Sequence, residues 1–239
     1  MNKRIIAIGD THGRNTWKIL INLHKFDKLI FIGDYFDSDH VLFEDQLNNF
    51  LDILEFKRQN PDKVILLIGN HDFQYMKQYS DGETYSGYQL KNSKMIEHAF
   101  STALSEGLLQ MCHIEGNIIF THAGVTKTWC EDMNIDFDNL ENSINSKLTE
   151  SPSPFRFRGF DPYGDDVCQS PIWVRPQSLA ADHIDGYRQV VGHTRVRTIA
   201  ILKDTLALID VLTTSKKALL IEDGIFSELE IEKHESEAL

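Results

Sequence analysis

Residues 5–14 read IIAIGDTHGR. A short apolar run stops at Gly9, and the next positions supply Asp10, Thr11 and His12. Apolar runs of this length, bounded by glycine, suit strands that are covered on both faces. A strand needs no acid and imidazole at its tip in order to fold. A single Gly-Asp at such a point is ordinarily a turn or a helix cap. It acquires chemical meaning only if it recurs.

It does recur. KLIFIG (28–33) runs into Asp34 of GDYFD, and KVILLIG (63–69) runs into Asn70 and His71 of GNHD. GNIIFTHAG (116–124) carries His122, and YRQVVGHT (187–194) carries His193. Between the first three runs, NTWKILINLHK (15–25) and VLFEDQLNNFLDILEFKRQ (41–59) space their apolar residues as helices do. Alternating strands and helices imply parallel strands whose C-terminal ends share one edge, where open α/β sheets bind ligands. Glycine before the polar residue, at Gly9, Gly33, Gly69 and Gly192, also suits a place where backbone and ion approach closely.

Further along, a polar stretch with Tyr and Gly (74–94) precedes a predicted helix through Leu104. Residues 131–188 read as irregular, with turn-rich SPSPFRFRGFDPYGDD at 151–166. TIAILKD (198–204), TLALIDV (205–211) and KALLIEDG (217–224) follow without helices between them and predict a β-meander. The fold class is therefore mixed α/β, and EIEKHESEAL (230–239) reads as a frayed acidic tail.

A chain of 239 residues with 41% hydrophobic content can bury one sizeable core, so residues 1–239 are expected to form a single domain. The formal charge of -12 opposes non-specific attraction to nucleic acid or anionic membranes. Three scattered cysteines, with no Cys-x-x-Cys, argue against a disulfide framework or a structural zinc site. The apolar stretch in MNKRIIAIGD is too short for a signal peptide, and no run reaches the ~18 residues of a membrane span. A cytoplasmic location is the expectation.

The strand ends supply oxygen and imidazole ligands without thiolate, a set that suits Mn²⁺, Fe or Zn²⁺. The set is too large for one tetrahedral ion and large enough for two. A carboxylate can bridge a pair of ions about 3.5–4 Å apart, an arrangement suited to displacement at phosphorus.

In this order, GDTHG, GDYFD, GNHD, THAG and GHT resemble the calcineurin-like metallophosphoesterase superfamily. The single His of GHT and the form GDYFD look most like its phosphoprotein phosphatase branch, which includes small bacterial and phage enzymes. The resemblance implies a four-layer αββα fold, a mixed β-sandwich flanked by helices, with two divalent metals at one sheet edge. Mn would be the best activator in vitro. Asp10 and His12 would hold the first metal, and Asp34 would bridge both. Asn70, His122 and His193 would hold the second. His71 would protonate the leaving group, oriented by Asp37, while Arg175 of SPIWVRP would clamp phosphate.

One departure stands out: the family commonly continues GDxxDRG, whereas GDYFDSD places Ser38 and Asp39 where Arg and Gly are usual. Arg14, Arg156 and Arg158 are the candidate replacements for that cation.

The implied activity is hydrolysis of phosphomonoesters, phosphoserine or phosphothreonine peptides among them, by a metal-bridging hydroxide. The partner is thus a phosphorylated small molecule or phosphopeptide. Nucleic acid is disfavoured as a partner, and no membrane is expected. A dinucleoside polyphosphate hydrolase is the alternative, with Tyr85 and Tyr88 available to stack on a base. A catalytically weak metal-binding scaffold is the reading from another class.

Overall fold

The computed structural model describes residues 3–76, 80 and 82–231. Three parallel strands, β1 (Arg4–Ile8), β2 (Lys28–Phe31) and β3 (Val64–Leu67), form the heart of the first sheet. Helices α1 (Trp17–Leu23) and α2 (Phe43–Gln59) connect them. Beyond β3 lies the short β4 (Leu109–Gln110); on the other side lie β10 (Lys217–Glu222) and β11 (Ile225–Glu230). The order is β11-β10-β1-β2-β3-β4.

The second sheet comprises β5 (Cys112–Glu115), β6 (Ile118–Thr121), β7 (Arg188–Arg195), β8 (Ala200–Leu202) and β9 (Leu206–Asp210). Its order is β5-β6-β7-β9-β8, with β6, β7 and β9 parallel. The two sheets pack face to face, and alternation along each strand shows how. Ile5, Ala7, Ile30, Ile32, Ile65 and Leu67 point inward to a core shared with Phe120, Val190 and Ile209. Their neighbours Ile6, Ile8, Leu29, Phe31 and Leu66 point outward, into a second core with Trp17, Phe50 and Ile53 of the helices. A strand buried on both faces has no use for polar alternation, hence the continuous apolar runs. A smaller outer core, with Leu206, Leu208 and Val191, is closed by Leu179 of the short helix Pro176–Ala181. The result is a mixed α/β sandwich flanked by helices.

Two expectations need correction. The last strands are not a meander: β7 and β9 are parallel neighbours, β8 lies on the far edge of β9, and β10 and β11 cross to the first sheet. Burial decides this order, since β9 is buried at every position while Ile201 and Leu202 of β8 are exposed. Residues 131–188 are also more regular than expected, because a helix, Leu140–Glu150, lies there. Its buried Leu140, Ile144 and Leu148 recur at helical spacing within an otherwise polar segment. Asn145 stitches it to β5, accepting from Met111 and Cys112 N–H at 2.9 Å each. Of the acidic tail, residues 232–239 lie outside the described residues. Cys112 and Cys130 are buried and Cys168 is half-buried, all as free thiols. Among the described residues, no helix is long and apolar enough to cross a membrane.

Candidate active site

The C-terminal ends of β1, β2, β3, β6, β7 and β9 meet along one edge of the sandwich. All but β6, whose His122 is fully buried, line a cavity of about 490 Å³ whose walls include Asp10, Asp34, Asn70, His71 and His193. Two of the glycines have a sharper reason than metal access. A Cβ on Gly69 would fall on the Asp34 carboxylate, and one on Gly192 would fall on that of Asp10. Neighbouring strand ends therefore touch at these carboxylates, and only glycine lets them.

Backbone geometry is unusual at the same place. His12, Asp34, Asp37 and His193 all take positive φ, between 41° and 67°. Such conformations are costly for residues with side chains and persist where surrounding contacts over-determine them. Asp72, absent from the sequence-based site, supplies many of those contacts. Fully buried, it accepts from the N–H groups of Asp34, Tyr35 and Gly69 at 2.7–2.9 Å. It thereby binds the turn after β2 to the turn after β3.

Asp10 and Asp34 are buried, each about 2% exposed. Asp10 accepts from His193 N–H at 3.1 Å, and Asp34 from His71 N–H at 3.0 Å. Burial pushes both carboxyls well above the usual carboxylate range, reinforced at Asp10 by Asp210 and at Asp34 by Asp72. Burial has the opposite consequence for the imidazoles. It lowers His12 to about 4 and His122 to about 3, and it also pushes His193 well down.

These three histidines are thus neutral, each with one N–H and one lone pair. His12 Nδ1 lies 2.6 Å from Phe36 O, His122 Nδ1 3.1 Å from Ile32 O, and His193 Nε2 3.1 Å from Trp173 O. Those carbonyls take the N–H and turn the other nitrogen inward. His122 Nε2 then faces Asn70 Oδ1 at 2.9 Å and Asp34 Oδ2 at 3.5 Å. His193 Nδ1 faces the same Asn70 oxygen at 3.0 Å. Lone pair against lone pair is repulsive unless a cation lies between, so the donor set fits a divalent ion. One ligand atom each of Asp10, Asp34 and His122 lie within 4.8 Å of one another.

His71 is built differently. Its Nδ1 lies 2.9 Å from Asp37 Oδ2, and its ring meets that of His12 edge-on at 5.4 Å. The Asp37 side chain is fully buried and also accepts from Gln74, Tyr75 and Gln89. None of these three was anticipated. The loop that carries Gln89 also brings Gly87 against the pair and Tyr85 against Trp173, ring centroids 4.5 Å apart, at the cavity wall. Tyr88 instead stacks on Tyr75 at 4.8 Å.

Of the expected phosphate cations, Arg175 lines the cavity. Its Nε donates to Tyr163 O at 2.8 Å, and its Nη1 to His193 O and Thr194 Oγ1, which fixes the guanidinium. Arg14 donates to Thr11 O and lines an adjoining cavity with Lys18 and Asn49. Arg156 and Arg158 are half-buried and do not line the site cavity; Arg158 Nη2 donates to Ser153 O. Ser38 locks its own turn instead of offering a cation: its Oγ accepts from the N–H groups of His40 and Val41. Two charged cavity residues were missed, Arg195 and Asp210. Asp210 had a legible signal, since TLALID ends in an acid just as IIAIGD does.

Comparison with known proteins places this architecture. Residues 3–194 match the calcineurin-like phosphoesterases, and the chain belongs to that family of metal-dependent phosphoester hydrolases. In fold it resembles a protein serine/threonine phosphatase from Saccharomyces cerevisiae with similarity to human phosphatase PP5. The TM-score is 0.58 over 98% of this chain and 82% of that one, at 16% identity. A metallophosphoesterase from Sphaerobacter thermophilus aligns at a TM-score of 0.47 and 12% identity, over 96% of this chain and 89% of its own. In sequence, the symmetrical bis(5'-nucleosyl)-tetraphosphatase of Nitrosospira multiformis is 25% identical over 136 residues, 52% of this chain. The match spans 45% of that relative's length.

Proposed function

We propose that the chain hydrolyses phosphomonoesters, using two divalent metals held by Asp10, His12, Asp34, Asn70, His122 and His193. The observation that carries this reading is a division of labour among four imidazoles. His12, His122 and His193 have their N–H groups taken by backbone carbonyls and their lone pairs turned inward. His71 alone is tied to a carboxylate, at 2.9 Å, while lining the cavity.

When bound, the metals supply charge neutralisation and lower the pKa of water toward neutrality. The protein does the rest. Asp34 Oδ1 holds the backbone of His71, so proton donor and ligand set keep one relative position. Arg175, immobilised through Nε and Nη1, presents its guanidinium to the phosphoryl oxygens. His71 donates from Nδ1 to Asp37 and gives the proton on Nε2 to the departing oxygen. Water attacks phosphorus directly, with no phosphoenzyme, so a chiral phosphorothioate substrate should be inverted.

Diadenosine polyphosphates are the second reading. The name of the Nitrosospira relative favours it, as does Tyr85 on the cavity wall. Metal-stripped protein re-supplied with Mn²⁺ should be assayed on p-nitrophenyl phosphate, a phosphothreonine peptide and diadenosine tetraphosphate. Turnover of a monoester supports the first reading, and turnover of the dinucleotide alone supports the second. Silence on all three with metal bound would reject both and favour a scaffold.

A further inference from the structure

Position 38 carries a serine committed to its own turn, so the phosphate cation usual there is missing. Among the described residues that line the cavity, only Arg175 and Arg195 carry a fixed positive charge. Arg195 is exposed, is the last residue of β7, and stands two positions beyond His193. The ladder between β7 and β9 is irregular between Val191 and Arg195, where His193 takes a φ of 60°. Irregularities of this kind bend a strand and re-aim the side chains that follow.

On resuming, the ladder pairs Arg195 with Asp210. Asp210 is 3% exposed, lines the same cavity, and has a buried Oδ1 with no hydrogen-bond partner. Its charge is opposed by burial and favoured by just two neighbours, Arg195 and Arg14. Arg14 lines a different cavity and is repelled by Arg195. Arg195 and Arg14 repel one another beside Asp210, and Arg195 reaches the cavity wall, where a substrate anion would meet its charge.

We propose that Arg195 binds a phosphoryl oxygen of the substrate and supplies the cation that Ser38 leaves out, with Asp210 as its positioning residue. This rests on the phosphoesterase reading of the site. It assigns two guanidinium groups to one phosphate: Arg175, fixed within the wall, and Arg195, at the rim. Arg195 is the adjustable one of the two, because Asp210 restrains it by charge while Arg175 is held by three hydrogen bonds.

The test uses Mn²⁺-loaded full-length protein. Orthophosphate binding is read by calorimetry, and its competitive Ki is read against p-nitrophenyl phosphate. Arg195→Ala should weaken orthophosphate by about ten- to a hundredfold, the worth of a charge-assisted hydrogen bond. KM should rise with it, and Mn²⁺ affinity should stay unchanged. Arg195→Lys should recover part of the loss, keeping the charge without the fork. Asp210→Asn should cost severalfold in wild type and nothing further beside Arg195→Ala, because the two act as a unit. Orthophosphate binding within twofold of wild type in Arg195→Ala would overturn the assignment. So would a loss confined to Arg14→Ala. If the wild type turned over no ester, the proposed activity would fail while calorimetry still decided the role of Arg195.

Discussion

Asp34 and Asp37 stand three residues apart on one loop, both with left-handed backbone and buried carboxylates. Their surroundings are opposite. Asp37 is saturated, accepting from His71, Gln74, Tyr75 and Gln89. Asp34 accepts one backbone N–H, and its other oxygen faces ring nitrogens of His12 at 3.9 Å and His122 at 3.5 Å. Those nitrogens have only lone pairs to offer. Burial alone therefore does not mark a carboxylate that does chemistry through an ion. Burial with an oxygen facing imidazole lone pairs does. Asp72, with its three backbone donors, is likewise satisfied, and its partners are turns rather than an imidazole.

The contrast breaks first, and most severely, at Asp34. Asp34→Asn keeps the volume and removes the charge, so turnover of p-nitrophenyl phosphate should fall by roughly 10⁴-fold or more, about 5 kcal/mol of barrier. Folding should survive, because the buried carboxylate is a liability in the metal-free protein. Retained turnover would mean that Asp34 is not the centre of the site. His71→Asn comes next: loss of a general acid should cost about 10²–10⁴-fold in kcat. Esters with a good leaving group should suffer least, because they need the proton least. An equal loss on every ester would argue against His71 as the acid.

Metal affinity gives the third measure. At a Mn²⁺ concentration 100 times Kd, binding to the fold alone adds about 2.7 kcal/mol, or roughly 5–10 °C in Tm for a chain of this size. As the proposed ligands, Asp10 and Asp34 would have to give up protons to bind metal, and burial makes them hold those protons to higher pH than ordinary aspartates. Their raised folded values mean that metal-free stability is lost as pH rises through them, which is where Mn²⁺ restores most. The difference in Tm between Mn²⁺ and EDTA should therefore be large at pH 7.5 and shrink toward pH 5. A difference independent of pH over that range would show that neither carboxylate is a ligand.

Half of this contrast was legible beforehand and half was not. Asp10, Asp34, Asn70, His122 and His193 follow apolar runs directly, so a local pattern exposes them. Their convergence required only that parallel strands share an edge. Asp72 was hidden because its partners are backbone N–H groups, two from the turn after β2 and one from Gly69 of its own turn, which leave no trace in side-chain identity. Gln74, Tyr75 and Gln89 were hidden because they reach Asp37 from a loop of ordinary polar composition. Arg195 follows GHT in sequence, but its value depends on Asp210 across an irregular ladder. The crossing of β10 to the first sheet was likewise a matter of which strand is buried most, a comparison among distant segments. Contacts between neighbours in the chain could be read, and those set by tertiary competition could not.

The saturated side can be tested more finely at Tyr75. Its hydroxyl donates to Asp37 Oδ1 at 2.5 Å and accepts from Gln89 N–H at 2.7 Å. Burial and the charge of Asp37 hold the phenol well above its ordinary range, so it remains a donor at every working pH. Tyr75→Phe keeps the stack on Tyr88 and removes one of four donors to Asp37. The remaining three still hold the carboxylate, so kcat should fall only severalfold, about 1 kcal/mol, with KM little changed. Stability should fall by a similar amount, since Gln89 N–H loses its acceptor. The decisive version places Tyr75→Phe beside His71→Asn. If Tyr75 acts through Asp37 on His71, it has nothing left to orient there, and the double variant should match His71→Asn alone in kcat. A further severalfold loss in the double variant would mean that Tyr75 shapes the loop over the cavity rather than the acid, and the saturated carboxylate would then be purely structural.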